Sequence, residues 1–84
     1  MKNFTVVWSR TAESTLAKLW MDSAEPSAVQ EASDFLEAEM ARSPNSMGLE
    51  ISAGLRVAGA GPLLVLFRVS NLDRTVIVHA VKLF

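Results

Sequence analysis

Hydrophobic and polar positions change their period once along the chain. Between residues 10 and 42, apolar side chains recur every three or four positions, which predicts two amphipathic helices. From residue 49 onward apolar residues either alternate with polar ones or follow one another without interruption, and both patterns are typical of strands. The stretch from Pro62 to Val69 is apolar at both parities until Arg68, so it predicts a central strand covered on both faces.

The predicted elements follow the order β-α-α-β-β-β. Strands are expected at residues 4–8, 49–57, 62–69 and 75–84, and helices at residues 10–23 and from residue 26 to about residue 42. Ser9 is expected to cap the first helix, because its hydroxyl can accept from a free amide of the first turn. The order predicts an α+β fold in which a helical hairpin packs on a four-stranded, mostly antiparallel sheet, with residues 1–84 as a single domain.

Composition excludes several kinds of site. The chain has no cysteine and one histidine, so disulfides, thiolate metal sites and sites built from histidine alone are excluded. We therefore expect no metal and no cofactor. Half of the residues are hydrophobic, which favours a folded domain. The first apolar run is interrupted too early for a signal peptide and no run reaches transmembrane length, so the expected compartment is the cytoplasm.

Charge is distributed unevenly along the chain. Residues 1–50 carry eight of the nine acids and four of the eight basic residues, a net charge of −4. Residues 51–84 carry one acid and four basic residues, a net charge of +3. A basic sheet beside acidic helices could present a weak anion-facing surface, although solvated charges that keep a small protein soluble are the commoner case.

Several local patterns together resemble a known family. The opening strand leads into Ser-Arg-Thr-Ala at residues 9–12, Pro44 follows the second helix, and Gly-Leu-Arg at residues 54–56 precedes Phe-Arg-Val at residues 67–69 and a final Val-Ile-Val-His-Ala-Val strand. This arrangement resembles the RelE/ParE family of toxins from bacterial toxin–antitoxin pairs. The resemblance implies a growth-regulating toxin that is neutralised by a cognate antitoxin, which lays a helix or a strand on its grooves or its sheet edge.

The family implies two kinds of target. RelE-like members cleave messenger RNA in the ribosomal A site, and ParE-like members poison DNA gyrase. Compared with the family pattern, an expected arginine falls on Leu64 and the chain has no tyrosine, so few groups for RNA chemistry are present. This favours gyrase inhibition by binding. A ribosome-dependent, metal-independent messenger RNA endonuclease and an inactive relative that serves as an interaction or dimerisation module are the alternatives.

Two arginines are the first candidate site residues. Arg56 matches the family's arginine on the strand before the central hairpin, where it could bind phosphate through two hydrogen bonds. Alternatively, Arg56 pairs with Glu50 or with an acid of the second helix. Arg68 has the parity of Leu64 and Leu66, which would place it at the end of a groove or simply at a strand end that reaches water.

His79 is the third candidate for a catalytic role. It shares its parity with Ile77 and Val81, so it could act from the groove as a general acid or base, although a packed, hydrogen-bonded histidine is commoner at such a position. Lys82 has the opposite parity, so in a regular strand at most one of the two basic residues belongs to a site. Phe4, Leu83 and Phe84, if they are not buried, would be available to a protein partner.

Overall fold

Four strands follow the helical hairpin, and one strand precedes it. The computed structural model describes residues 4–84. Its elements are β1 (Thr5–Trp8), α1 (Arg10–Asp22), α2 (Pro26–Arg42), β2 (Leu49–Ser52), β3 (Leu55–Ala60), β4 (Leu63–Ser70) and β5 (Thr75–Leu83), with a single 3-10 turn at Pro44–Ser46. The sheet order is β1-β5-β4-β3-β2, with β1 parallel to β5 and the other pairs antiparallel. The predicted α+β class and helical hairpin are confirmed.

The sheet has five strands because the predicted strand at residues 49–57 is a hairpin. β2 and β3 reverse direction between Ser52 and Leu55, where Gly54 has a φ of 77°. The backbone N–H of Gly54 donates to the carboxylate of Glu50 over 3.1 Å, which ties the turn to β2. The alternating apolar positions continue through this turn, so periodicity alone predicts one strand where there are two.

The two helices begin where the sequence predicts. The Ser9 hydroxyl accepts from the backbone N–H of Ala12 over 3.1 Å, which caps α1, and Pro26 occupies the first turn of α2, where a backbone N–H would have no helical partner. The buried residues on the helices are Ala12, Val29, Ala32, Ser33, Leu36, Met40 and Ala41. Within residues 4–84, neither helix combines the length and the apolar character needed to cross a membrane.

The helical hairpin covers one face of the sheet. Its apolar stripes pack in the same core as a row of sheet residues that is almost fully buried: Ala58, Leu63, Val65, Phe67, Val69, Val76, Val78 and Val81. On β4 the alternate positions behave differently, because Leu64 and Leu66 are half-buried and Arg68 is exposed. The expectation that the central strand is covered on both faces is therefore wrong: β4 lies in the middle of the sheet but only one of its faces is packed against helices.

A β-bulge interrupts β5 at His79. Leu66 pairs with Ala80 and Phe67 pairs with Val78, so His79 is the extra residue of the longer strand. The bulge shifts the alternation by one position, which is why Val78 and Val81, three residues apart, are both buried. Consequently Lys82 lies on the same face as His79, and the expectation that the two cannot share a face is wrong.

Candidate functional site

The sheet face that points away from the helices, hereafter the open face, is mainly apolar. Its cross-strand rows follow from the register of the paired strands. The apolar members are Val7, Leu49, Leu55, Val57, Leu64, Leu66, Ile77 and Ala80, and the basic members are Arg68, His79 and Lys82. Leu49 is 69% exposed and Val7 is 47% exposed, so this surface faces solvent rather than a second layer of the protein.

A depression of about 260 Å³ lies near the middle of the open face. It is lined by Val57, Leu64, Val65, Leu66, Ala80, Val81 and Lys82, so Lys82 contributes its one charge. Phe84 lies next to Gly59: a Cβ atom on that glycine would be 2.7 Å from Cζ of the Phe84 ring. The missing side chain at Gly59 thus leaves room for an aromatic ring that is itself 79% exposed.

Arg68 lies on the open face, as its parity predicts. It pairs with Ile77 across β5 and with Leu55 across β3, and its side chain is exposed. One guanidinium nitrogen, Nη1, donates to the backbone carbonyl of Ala53 over 3.0 Å. This single contact anchors the side chain beside the β2–β3 turn, and the other guanidinium N–H groups have no partner within residues 4–84.

Arg56 lies on the opposite face of the sheet from Arg68. It pairs with Phe67, whose ring is fully buried beneath the helices. Its Nε donates to the carbonyl of Met47 over 2.8 Å, and its Nη1 lies 4.0 Å from a carboxylate oxygen of Glu50. With a side chain only 14% exposed, Arg56 holds the segment before β2 against β3, and the structure does not bring it together with the other candidates.

His79 and Lys82 are both exposed and both lie off the buried row of β5. His79 is the bulge residue, and along β5 it lies between Ile77, the partner of Arg68, and Ala80, the partner of Leu66. Lys82 pairs with Leu64. The open face therefore gathers two of the three predicted residues, Arg68 and His79, and adds Lys82, which sequence reasoning set aside because the bulge could not be seen in the pattern.

Of the three residues near the chain ends that were expected to be available to a partner if not buried, two are exposed and one is buried. Leu83 and Phe84 are 40% and 79% exposed. Phe4 is only 8% exposed, and the guanidinium of Arg74 lies over its ring at 4.5 Å from the centroid. Phe4 is therefore a core residue and is not available to a partner.

Comparison with solved structures, rather than with sequences, identifies the architecture. No protein-family model matches the sequence, and no curated protein matches it significantly. The structure matches a chain of the toxin–antitoxin complex RelBE2 from Mycobacterium tuberculosis with a TM-score of 0.81 and 25% identity, over 100% of this chain and 94% of that one. The chain has the fold of the RelE/ParE toxin superfamily.

Two further solved structures share the RelE/ParE fold. A chain of the chromosomal ParDE toxin–antitoxin system from Pseudomonas aeruginosa matches with a TM-score of 0.72 and 13% identity, over 96% of both chains. A chain of the archaeal RelE–RelB complex from Pyrococcus horikoshii matches with a TM-score of 0.58 and 22% identity, over 96% of this chain and 94% of that one. The similarity covers nearly the whole chain in each case, which confirms the resemblance inferred from the sequence.

Proposed function

We propose that this protein is the toxin of a type II toxin–antitoxin pair, and that it acts by binding a macromolecular target through the open face, as in ParE-like gyrase inhibition. The fold supports the toxin role, since the matching structures are complexes of toxins with antitoxins. The observation that carries the proposal further is the chemistry of the open face, which combines an apolar surface with basic side chains.

Charge on the open face has one sign. Its charged members are Arg68 and Lys82, and His79 is a further basic residue on this face. The one carboxylate on the described strands, Glu50, pairs with Arg56 on the other face. A contiguous apolar surface rimmed by cations is suited to a partner with complementary apolar and acidic groups. The same surface is available to an antitoxin segment, so neutralisation and target binding would compete for it.

Binding is favoured over catalysis by the positions of the predicted residues. A metal-independent RNase must activate the 2′-hydroxyl, stabilise the anionic phosphorane and protonate the leaving oxygen. Arg56, which was expected to contribute, is engaged with Met47 on the covered face. The open face retains Arg68, His79 and Lys82 for these three tasks, without a carboxylate to serve as a base.

Growth after induction of the chain in a bacterial host tests the toxin role. We expect arrest that is relieved when the adjacent small gene is expressed with it. Lys82→Glu should weaken the arrest because it inverts a charge on the open face. The matched variant Lys18→Glu, which makes the same change at an exposed position of α1, should leave arrest intact.

A supercoiling assay with purified gyrase then tests the target. The unmodified protein should leave plasmid DNA cleaved or still relaxed, because inhibited gyrase introduces no supercoils, and Lys82→Glu should require a higher concentration for the same effect. Normal supercoiling at high protein excess would exclude gyrase.

In the growth assay, normal growth with abundant soluble protein would instead favour the inactive interaction module.

A messenger RNA endonuclease is the second candidate, and the observation that favours it is that His79 lies on the same face as Arg68. His79 is two residues from Ile77, the partner of Arg68, and from there an imidazole could transfer a proton to a substrate held by the arginine. This candidate predicts cleavage of ribosome-bound messenger that is lost in both His79→Ala and Arg68→Ala. Cleavage that persists in both variants would remove the pair from the mechanism.

A further inference from the structure

The end of the helical hairpin, where α1 stops and α2 starts, carries exposed apolar side chains. Met21 is 75% exposed and Trp20 is 45% exposed, and both line a cleft of about 390 Å³ between the two helices. The other lining residues are Leu16, Ala17, Val29, Gln30 and Ser33, so the cleft is mainly apolar. A methionine held in solvent beside an apolar cleft is typical of a contact surface.

The same end of the hairpin is acidic. Asp22 is the last residue of α1 and Glu25 immediately precedes α2, and both are exposed. Within residues 4–84 neither carboxylate has an ion-pair partner, although Lys18 lies one turn before Asp22. A negative charge in the last turn is unfavourable with the helix dipole, so Asp22 gains from a cation supplied from outside. Hereafter Trp20, Met21, Asp22 and Glu25 are the hairpin tip.

The depression on the open face complements the hairpin tip in shape and in charge. Its lining is apolar except for Lys82, which is exposed and has no ion-pair partner in the described part of the chain. Arg68 adds a second positive charge to the same face. A flexible methionine side chain suits an irregular apolar hollow, and a carboxylate beside it suits a lysine at the rim.

We propose that the hairpin tip of one copy docks on the open face of a second copy, with Met21 in the depression and Asp22 and Glu25 facing Lys82. The contact is head-to-tail, so each pair leaves one tip and one open face free and can grow further. Contacts of like surfaces are disfavoured, because two open faces would bring cations together and two tips would bring carboxylates together. Only the consequence, that self-association keeps a target away from the open face, rests on the proposed function.

Dilution and salt give the first test. A contact made by one apolar side chain and one or two charge pairs is small, so sedimentation velocity should show monomers at about 20 µM and larger species at about 1 mM. Raising the salt from roughly 50 mM to roughly 500 mM should lower the association constant at least about threefold, because exposed charge pairs are screened.

Exposed substitutions locate the contact on the hairpin tip. Met21→Ser should weaken association by at least about tenfold, whereas Leu72→Ser, at a position that is 93% exposed in the β4–β5 turn, should change it by less than about twofold. Asp22→Lys should weaken association by at least about fivefold, because it opposes Lys82 with a like charge. Its control, Glu31→Lys, makes the same charge change at an exposed position of α2 outside the tip and should have less than about a twofold effect.

Mixing two variants tests the head-to-tail arrangement. The tip variant combines Met21→Ser with Asp22→Asn, the face variant is Lys82→Glu, and each alone should remain monomeric at about 1 mM. Together they should form a dimer that grows no further, because only the face variant has an intact tip and only the tip variant has an intact open face. In the dimer, NMR signals of the labelled tip variant should shift at Ala80 and Lys82 and stay unchanged at the hairpin tip.

Three outcomes would overturn the inference. The first is a monomer at about 1 mM in low salt. The second is association that the two tip substitutions weaken no more than their controls do. The third is a mixture of variants that stays monomeric, or a tip variant that associates by itself, since the open faces would then contact each other. Failure of the growth assay with head-to-tail association intact removes only the proposed function. Growth arrest by a chain that does not associate removes only this inference.

Discussion

The two faces of β4 differ in what they contribute: one face is packed in the core and stabilises the fold, and the other is open to a partner. Leu63, Val65 and Phe67 are completely buried beneath the helices. Their immediate neighbours Leu64 and Leu66 are equally apolar, yet they are half-buried and have no covering layer. Apolar residues at both parities of a strand therefore do not require two covered faces. In a protein of this size, a second apolar row in solvent is better explained by an interaction.

The open face also differs in charge from a groove of about 540 Å³ between β1 and α2. The open face has the basic side chains of Arg68 and Lys82, while this groove is lined by three carboxylates, Asp34, Glu37 and Asp73, and one guanidinium, Arg74. The uneven charge of the two halves of the sequence is thus converted by the fold into two separate surfaces. A partner that suits one of them is electrostatically unsuited to the other, so a single wrapping partner would need segments of opposite charge.

The adjacent leucines of β4 give the sharpest test of the contrast between its faces. Leu63→Ala should lower the free energy of unfolding by about 2–5 kcal/mol, because it leaves a cavity in the core. Leu64→Ala, the same change one residue away, should cost about 1 kcal/mol or less and should instead weaken growth arrest. Urea denaturation of the purified variants measures both. Equal destabilisation by the two changes would mean that the open face is covered in solution.

Gly48 tests whether β2 is fixed at the edge of the open face. Its φ is 56°, and an added Cβ atom would lie 1.9 Å from the carbonyl oxygen of Val57. Gly48→Ala should therefore cost at least about 2 kcal/mol of unfolding free energy. Gly54→Ala is the matched control, because its φ of 77° is similarly unfavourable but its nearest atom is 3.0 Å away. A smaller loss for Gly48→Ala than for Gly54→Ala in urea denaturation would show that β2 can detach without disturbing the rest of the sheet.

Much of the fold could be predicted because the period of the apolar positions distinguishes helices from strands. The helix starts at Arg10 and Pro26 follow from a capping serine and a proline in a first turn, and both are found. The β2–β3 turn was missed because alternation continues through Gly54. The face of Arg56 could not be predicted for a different reason: its apolar neighbours Leu55 and Val57 lie on the open face, so Arg56 lies on the covered one.

The candidate site was less predictable because it depends on one irregular residue. The bulge at His79 changes which later residues of β5 face the helices, and it is specified by the pairing of β5 with β4 rather than by local sequence. Lys82 could be placed on the open face only after that shift was known. The position of Arg68 needed no such information, since β4 is regular and its parity with Leu64 and Leu66 holds.

Arg56 and Arg68 allow the same comparison between the covered and the open face to be made with polar side chains. Their substitutions have the smallest expected effects on stability. Arg56→Ala removes the bond to the Met47 carbonyl in a poorly exposed site and should cost about 1–2 kcal/mol of unfolding free energy. Arg68→Ala removes one exposed bond to Ala53 and should cost about 0.5 kcal/mol or less. Urea denaturation compares the two variants under one condition.

The same pair should show the reverse order in function. Arg68→Ala should reduce growth arrest at unchanged protein level, since the arginine lies on the open face. Arg56→Ala should reduce arrest only as far as it lowers the amount of folded protein. Arg56→Lys sharpens this test, because it keeps the charge but cannot reproduce the fixed guanidinium geometry toward Met47. If Arg56→Lys abolishes arrest while its stability and abundance stay normal, Arg56 acts on the target directly. That result would contradict the assignment of stability to the covered face and of target binding to the open face.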